Sequence, residues 1–306
     1  MSDAAPLGRV LVTGANGNLG RALIARLARD GAVRAVVRSE RAAATVRALP
    51  AAPEVAVIDY RDAETLARAA AGCTAVVHLV GILKEAPGTS YADAHERTAR
   101  ALADAALRAD CHRIVYLSIL GARAGSPNAC LASKARAEAI LLAPPLQTTV
   151  LRVPMVLGGD DHATAALRAR ARARVVPLVR GGASLEQPID AGDVVEAIVA
   201  ALARPALAGR VLDLAGPESL PRSALVRRAA ALAGASGPAI VPIPLAAVRA
   251  FAALAERFAA NPPLTRAMLE VLEHDDRVDP QPACAALGIA LTPLDETLRR
   301  ALAQAR

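Results

Sequence analysis

The stretch Val10-Leu11-Val12-Thr13-Gly14-Ala15-Asn16-Gly17-Asn18-Leu19-Gly20 decides the reading of this chain. A short apolar run ends in Thr13, and glycines follow at positions 14, 17 and 20. Leu19, Leu23, Ile24 and Leu27 then recur at helical spacing. The pattern predicts a strand, a tight glycine turn and a helix start. Free backbone N–H groups and the helix dipole at such a start make a seat for a pyrophosphate. A nucleotide is therefore expected at Gly14, Asn16, Gly17, Asn18, Leu19 and Gly20.

Working outward, strand signals recur at Arg9–Thr13, Ala32–Val37, Val55–Ile58, Ala75–Leu79, Arg113–Ser118 and Thr148–Val153. Helical segments lie between them: Leu19–Arg29, a segment from Asp62 to Gly72, roughly Ser90–Ala109, and Leu131–Leu142. Asp before a helix and Gly after one are boundary chemistry. Regular alternation specifies a parallel sheet with helices on both faces. The expected fold class is α/β, a Rossmann-type doubly wound parallel sheet with a smaller C-terminal region. Residues 1–157 are expected to bind the nucleotide. Residues 158–306, where alternation loosens, are expected to form a substrate lid packed on that domain and partly interleaved with it.

The chain has 306 residues, of which 54% are hydrophobic. That is enough for a large core and excludes global disorder. The net charge of +7 comes with two Phe, three Tyr and no Trp. Basic residues without interleaved aromatics argue against nucleic acid and for an anion-binding cleft. Only two lysines occur, Lys84 and Lys134, in an Arg-rich chain. Four cysteines, Cys73, Cys111, Cys130 and Cys284, form no C-x-x-C pair and no zinc-ligand spacing, so no metal site is expected. A reducing compartment fits them. No apolar run reaches the roughly 18 residues of a membrane span, and strand signal begins at Arg9, leaving no room for a signal peptide. A cytoplasmic protein is expected.

Each later strand end adds a candidate. Arg38 stands where an acidic residue would bind a ribose 2′-hydroxyl and favour NAD. A planar cation there suits a 2′-phosphate, favouring NADP(H) with NAD(H) possible; the alternative is a solvated surface Arg. Asp59 and Tyr60 end the third strand, where a carboxylate can accept from the adenine amine or simply cap a loop. The fourth strand ends at His78-Leu79-Val80-Gly81. Gly81 would let the backbone approach a cofactor closely, and His78 reads as a core histidine.

Together, Thr13–Gly20, Asp59, His78–Gly81 and Arg152-Val153-Pro154 resemble the short-chain dehydrogenase/reductase superfamily, in its extended and atypical branches. Val80–Leu83, His95, Ser118–Ala122, Leu264–Arg266 and Glu273–Asp276 are similar to the branch of the nucleotide-binding accessory subunit of respiratory complex I and its bacterial relatives. The resemblance implies cofactor contacts at Leu79, Val80, Gly81, Ser118, Lys134 and Pro154. It also implies a Tyr-x-x-x-Lys pair with a Ser, in which Lys holds the ribose and lowers the Tyr pKa so that Tyr can relay a proton.

Here the relay is incomplete. Lys134 matches the Lys, but Cys130 stands in the Tyr position and Ile119 near the Ser position; Ser118 is one residue off, which reverses its direction in a strand. Cys130 could substitute as a shuttle or fill the hole. His95 could supply a proton near neutral pH or hold the pocket wall. Two readings follow: an NADPH-dependent oxidoreductase acting on a carbonyl, quinone or other apolar small molecule, or a non-catalytic nucleotide-binding subunit of a protein complex. A sugar-nucleotide epimerase or dehydratase is a weaker third. Arg168, Arg170, Arg172 and Arg174 read as a solvated helix face or an anion port. Val248, Phe251, Leu254 and Phe258 read as a core-packing stripe, or a lipid- or quinone-facing one.

Overall fold

The computed structural model describes residues 8–303; the expected lead into the first strand, residues 1–7, lies outside them. The chain starts β1 Val10–Thr13, α1 Asn18–Leu27, β2 Val33–Val37, α2 Glu40–Arg47, β3 Glu54–Val57, α3 Ala63–Ala70 and β4 Ala75–His78. A wider, π-type turn over Ala92–Arg97 leads into α4 Thr98–Arg108, followed by β5 Arg113–Ile119, α5 Ala129–Leu142 and β6 Gln147–Val153. Then come β7 Val156–Leu157, α6 His162–Arg172, β8 Val175–Val179, β9 Leu185–Glu186, β10 Ile189–Asp190, α7 Ala191–Leu202 and β11 Val211–Asp213. The last elements are β12 Leu220–Pro221, α8 Arg222–Leu232, β13 Ala239–Ile243, α9 Leu245–Phe258, α10 Arg266–Leu272, α11 Gln281–Leu287 and α12 Leu294–Ala303.

Seven parallel strands form the main sheet in the order β11-β6-β5-β4-β1-β2-β3. This is the doubly wound Rossmann-type fold that strand–helix alternation specified. Chain order reverses between β1 and β4, and a crevice opens there at the strand C-termini. Side-chain alternation splits the core between the two faces. Val10, Val12, Ala35, Val37, Ala75 and Val77 pack against α1, α7 and α11. Leu11, Val36 and Val76 pack with residues of α3, α4 and α5. A third apolar cluster joins α6, α8 and α12, through Leu167, Leu225, Val226, Leu294 and Leu298.

Short polar side chains fix the helix starts. Ser39 caps α2, Asp62 caps α3, Asn128 caps α5, Asp161 caps α6 and Asp190 caps α7. Helix α2, absent from the periodicity reading, owes its start to Ser39 and has only Ala43 and Val46 buried. The segment expected as one helix from Ser90 instead begins with the π-type turn. The Phe251–Phe258 stripe does not pack into the core: Phe251, Leu254 and Phe258 are 55%, 58% and 76% exposed. Helix α9 lies at the periphery and buries only Ala252, so an apolar stripe at helical spacing did not mark a core face.

Candidate functional site: a dinucleotide cleft and an apolar pocket

The crevice at the switch point is a cleft of about 410 Å³, lined by Gly14, Asn16, Gly17, Arg38, Asp59, Tyr60, Leu79, Val80 and Gly81 among others. These are nine of the residues predicted to bind a nucleotide. Gly14 takes φ +71°, a conformation that favours glycine. The Gly17 N–H donates to the Gly14 carbonyl at 3.1 Å and tightens the turn. A Cβ on Gly20 would lie 2.6 Å from that same oxygen. Helix α1 therefore starts hard against the turn, and no side chain caps it. Its first N–H groups are left for a ligand, which is what a pyrophosphate requires. Asn18 and Leu19 stand behind this front: Asn18 Nδ2 donates to the Gly158 carbonyl at 2.5 Å, and Leu19 packs on the core.

Tyr60 builds the turn from a distant position. Its hydroxyl donates to the Val36 carbonyl and accepts the Gly14 N–H, both at 3.0 Å. The Arg38 guanidinium lies 5.9 Å from the Tyr60 ring centroid. Among the described residues Arg38 has no ion-pair partner. Asp59 does have one: Arg61 chelates its carboxylate through Nε and NH2 at 2.7–3.3 Å. The Arg61 side chain and N–H hold that carboxyl below its ordinary range.

Behind Gly81 sits Lys134, with His95 and Cys130 nearby. Lys134 is buried, and its Nζ donates to Tyr116 Oη and the Leu117 carbonyl at 3.1 Å, and to the Val80 carbonyl at 3.5 Å. Burial lowers its pKa to about 8. A Cβ on Gly81 would lie 2.8 Å from Nζ, so glycine is what lets the ammonium reach the cleft wall. Tyr116, fully buried beneath it, had no signal in the sequence beyond its place in a strand.

His95, on the π-type turn, accepts the Ile82 N–H at Nε2, 3.1 Å away. Burial and the Lys134 charge push its pKa down to about 3. It is a neutral brace for the Ile82 loop near pH 7. Cys130 Sγ sits 3.6 Å from the Ile82 carbonyl, and burial pushes its thiol up to about 11. His78 is the core histidine expected, 2.7 Å from Thr13 Oγ1 and stacked on Tyr116, with its pKa lowered to about 3 by burial.

Besides Asn18, Leu19, Gly20 and Lys134, which stand behind the cleft lining, Ser118 and Pro154 are directed elsewhere. The Ser118 hydroxyl donates to Glu138 Oε1 at 2.5 Å on the opposite side of the strand. There Arg152 also binds Glu138, so strand alternation turns Ser118 away. Pro154 lines a second pocket of about 230 Å³ with Leu83, Ile119, Leu120, Leu131 and Met155. That pocket is apolar on this side and carries Glu186, Arg222, His274 and Asp276 on the other. None of the four arginines of the α6 region lines either cavity; Arg168 instead donates to the Ala301 carbonyl.

A family model described as NAD(P)H-binding matches residues 14–205. The chain is 30% identical over 215 residues to an Arabidopsis thaliana protein, NADH dehydrogenase [ubiquinone] 1 alpha subcomplex subunit 9, mitochondrial, covering 68% of this chain and 53% of that one. It is 33% identical over 174 residues to ceramide reductase of Caulobacter vibrioides, covering 56% and 54%. The chain thus spans about half the length of these relatives. The structure of dTDP-glucose 4,6-dehydratase from Streptomyces venezuelae with NAD and TYD bound superposes with TM-score 0.75 at 19% identity, covering 96% of this chain and 95% of that one; this likeness concerns the fold alone. No helix of the described residues is long and apolar enough to cross a membrane.

Proposed function

The chain belongs to the NAD(P)H-binding family, and from that premise we propose that it is a short-chain dehydrogenase/reductase-like enzyme that uses NADPH to reduce an apolar carbonyl or quinone. One observation carries the reading. The cleft carries Arg38, the glycine turn and Gly81, and Leu83, two residues past Gly81, lines the apolar pocket; together these are the sites that a 2′-phosphate, a pyrophosphate, a nicotinamide and a substrate would need. Gly14, Asn16 and Gly17 would hold the pyrophosphate, Asp59 and Tyr60 the adenine end, and Arg38 the 2′-phosphate. Lys134 would serve the nicotinamide ribose from behind Gly81. The cofactor supplies hydride chemistry when bound. The protein's part is to position a carbonyl in the apolar pocket, where Ile119, Leu131 and Met155 exclude water. Residues 158–306 supply the far wall of that pocket, and we read them as the substrate region. Buried, unpaired cysteines suit a reducing compartment, and we place the protein in the cytoplasm.

A second reading, a nucleotide-holding subunit of a protein complex, is favoured by Cys130 and Ile119 standing where the relay would be, and by the complex I subunit among the relatives. Bound cofactor would then stabilise the fold by linkage. Fluorescence titration with NADPH and NADH tests the cofactor. Arg38→Ala should weaken NADPH binding tenfold or more, since a charge-assisted hydrogen bond contributes about 1.5–3 kcal/mol, and leave NADH unaffected. Equal affinity of the wild type for the two would refute the NADP assignment. Oxidation of bound NADPH by quinones or apolar ketones distinguishes reductase from subunit.

A further inference from the structure

The missing tyrosine leaves open which group would put a proton on the substrate oxygen. Cys130 and His95 are poor donors near pH 7, the first because its thiol holds its proton to about 11, the second because it is neutral and already accepts from Ile82. The apolar pocket offers one further candidate. Of its polar residues, Glu186 and Arg222 are ion-paired with each other, and Arg222 also binds Glu273. His274 remains. Its Nδ1 lies 3.3 Å from Asp276 Oδ1, while Nε2 makes no hydrogen bond among the described residues.

The segment that carries the ring's acidic partner is anchored. The Asp276 N–H donates to the Leu185 carbonyl at 3.0 Å, Asp275 Oδ1 accepts the Leu185 N–H at 2.7 Å, and Ser219 Oγ donates to the Asp276 carbonyl at 2.7 Å. The ring packs against Gly121, where an added Cβ would lie 2.9 Å from Nε2. Gly121 takes φ +78° just after β5, two residues beyond Ile119, which stands in the position of the substrate-orienting serine. Glycine thus leaves room for the imidazole at the pocket that Ile119 also lines.

We propose that the His274–Asp276 pair is the proton donor of this pocket, with Nε2 directed at the oxygen of a carbonyl-bearing apolar ligand. This rests on the reductase reading. The carbonyl carbon gains a hydride, for which a reduced nicotinamide is the reductant. The carbonyl π pair takes the Nε2 proton and becomes the new O–H bond. The imidazole, 38% exposed, regains a proton from solvent. Asp276 and Asp275 raise the His274 pKa above its ordinary value, against desolvation and the opposing Arg123 charge. Glu186, Glu273, Arg222 and Arg180 complete the surrounding charges, two of each sign and ion-paired among themselves.

Hexanoate tests the pair without requiring turnover, because its carboxylate puts a negative oxygen where the alkoxide would form. In the NADP+-loaded protein, hexanoate affinity should fall about tenfold or more as pH rises through the His274 titration. His274→Gln should abolish that dependence with NADP+ affinity unchanged, and Asp276→Asn should move the midpoint to lower pH. The histidine Cε1 resonance should report the same midpoint by NMR. Absence of hexanoate binding, or an identical pH profile in His274→Gln, overturns the proposal. NADPH oxidation by apolar ketones, followed on the same samples, judges the reductase reading separately. If a ketone is reduced, His274→Gln should lower kcat about a hundredfold with little change in KM. A pH-dependent hexanoate site without any ketone reduction supports the proton-bearing pair and refutes the reductase reading.

Discussion

Gly20→Ala is the most direct test of how the nucleotide seat is built. In an exposed helix, replacing Gly with Ala stabilises by about 1 kcal/mol. At position 20 the new Cβ would lie 2.6 Å from the Gly14 oxygen, 2.7 Å from the Ala15 oxygen and 2.8 Å from the Ala15 carbonyl carbon. Ordinary carbon–oxygen contact begins at about 3.3 Å, so the shortfall against the two oxygens is roughly 0.6–0.7 Å, and no rotamer change can move these backbone atoms. Overpacking of this kind costs about 1–3 kcal/mol, and three simultaneous backbone contacts put it at the upper end. Net of the helix-propensity gain, about 2 kcal/mol should be lost. At about 2 °C per kcal/mol for a chain of this size, Tm should fall about 4 °C. Moving the turn by half an ångström also misdirects the N–H groups that would bind phosphate. NADPH affinity should drop at least tenfold, worth about 1.4 kcal/mol. Gly125 is the control. A Cβ added there would meet no atom within 4 Å, and its φ is not in the positive range, so Gly125→Ala should be stabilising by about 0.4–1 kcal/mol. Thermal unfolding and NADPH fluorescence titration of both variants decide the matter. If Gly20→Ala is as stable as the wild type and binds NADPH equally well, the reasoning is wrong.

Acid should destabilise the fold well above the carboxylate range. His78 and His95 are neutral in the native state, with pKa values of about 3, against about 6.5 when unfolded. Below about pH 6.5 the unfolded chain takes up protons that the native chain refuses, so stability falls as pH falls, by about 1.4 kcal/mol per unit for each histidine. Urea midpoints between about pH 6.5 and 5 should show this slope, and His78→Gln should halve it; a flat profile in the wild type would contradict the burial argument. Glu138→Ala should cost about 1–3 kcal/mol, because it leaves the Ser118 hydroxyl without its acceptor and Arg152 with only the more exposed Asp213. Its urea midpoint should fall while NADPH affinity stays within twofold, since Ser118 faces away from the cleft; a cofactor defect as large as the stability defect would place Glu138 in the site instead.

The cleft was largely legible because its parts are local. A strand, a glycine turn and a helix start occupy eleven consecutive residues, and side-chain alternation places Arg38, Asp59 and Gly81 at successive strand ends. Periodicity could not say which face of a peripheral helix meets the core, and the α9 stripe turned outward. Nor could it supply partners. Tyr60 latches onto Gly14 across 46 positions and Glu138 pairs with Arg152 and Ser118 across a helix and a strand; alternation sets where Ser118 points, and the distant acidic partner satisfies its hydroxyl there.

The sequence by itself determined the doubly wound fold and the dinucleotide seat, since both follow from short-range patterns of backbone conformation and hydrophobic period. Only the tertiary structure decided the rest. It buried Lys134 behind Gly81, made His95 a neutral brace, and carried His274 on a late segment to the pocket after β5. Burial and long-range contact set the charge and direction of a polar side chain, and neither is written in its neighbours along the chain.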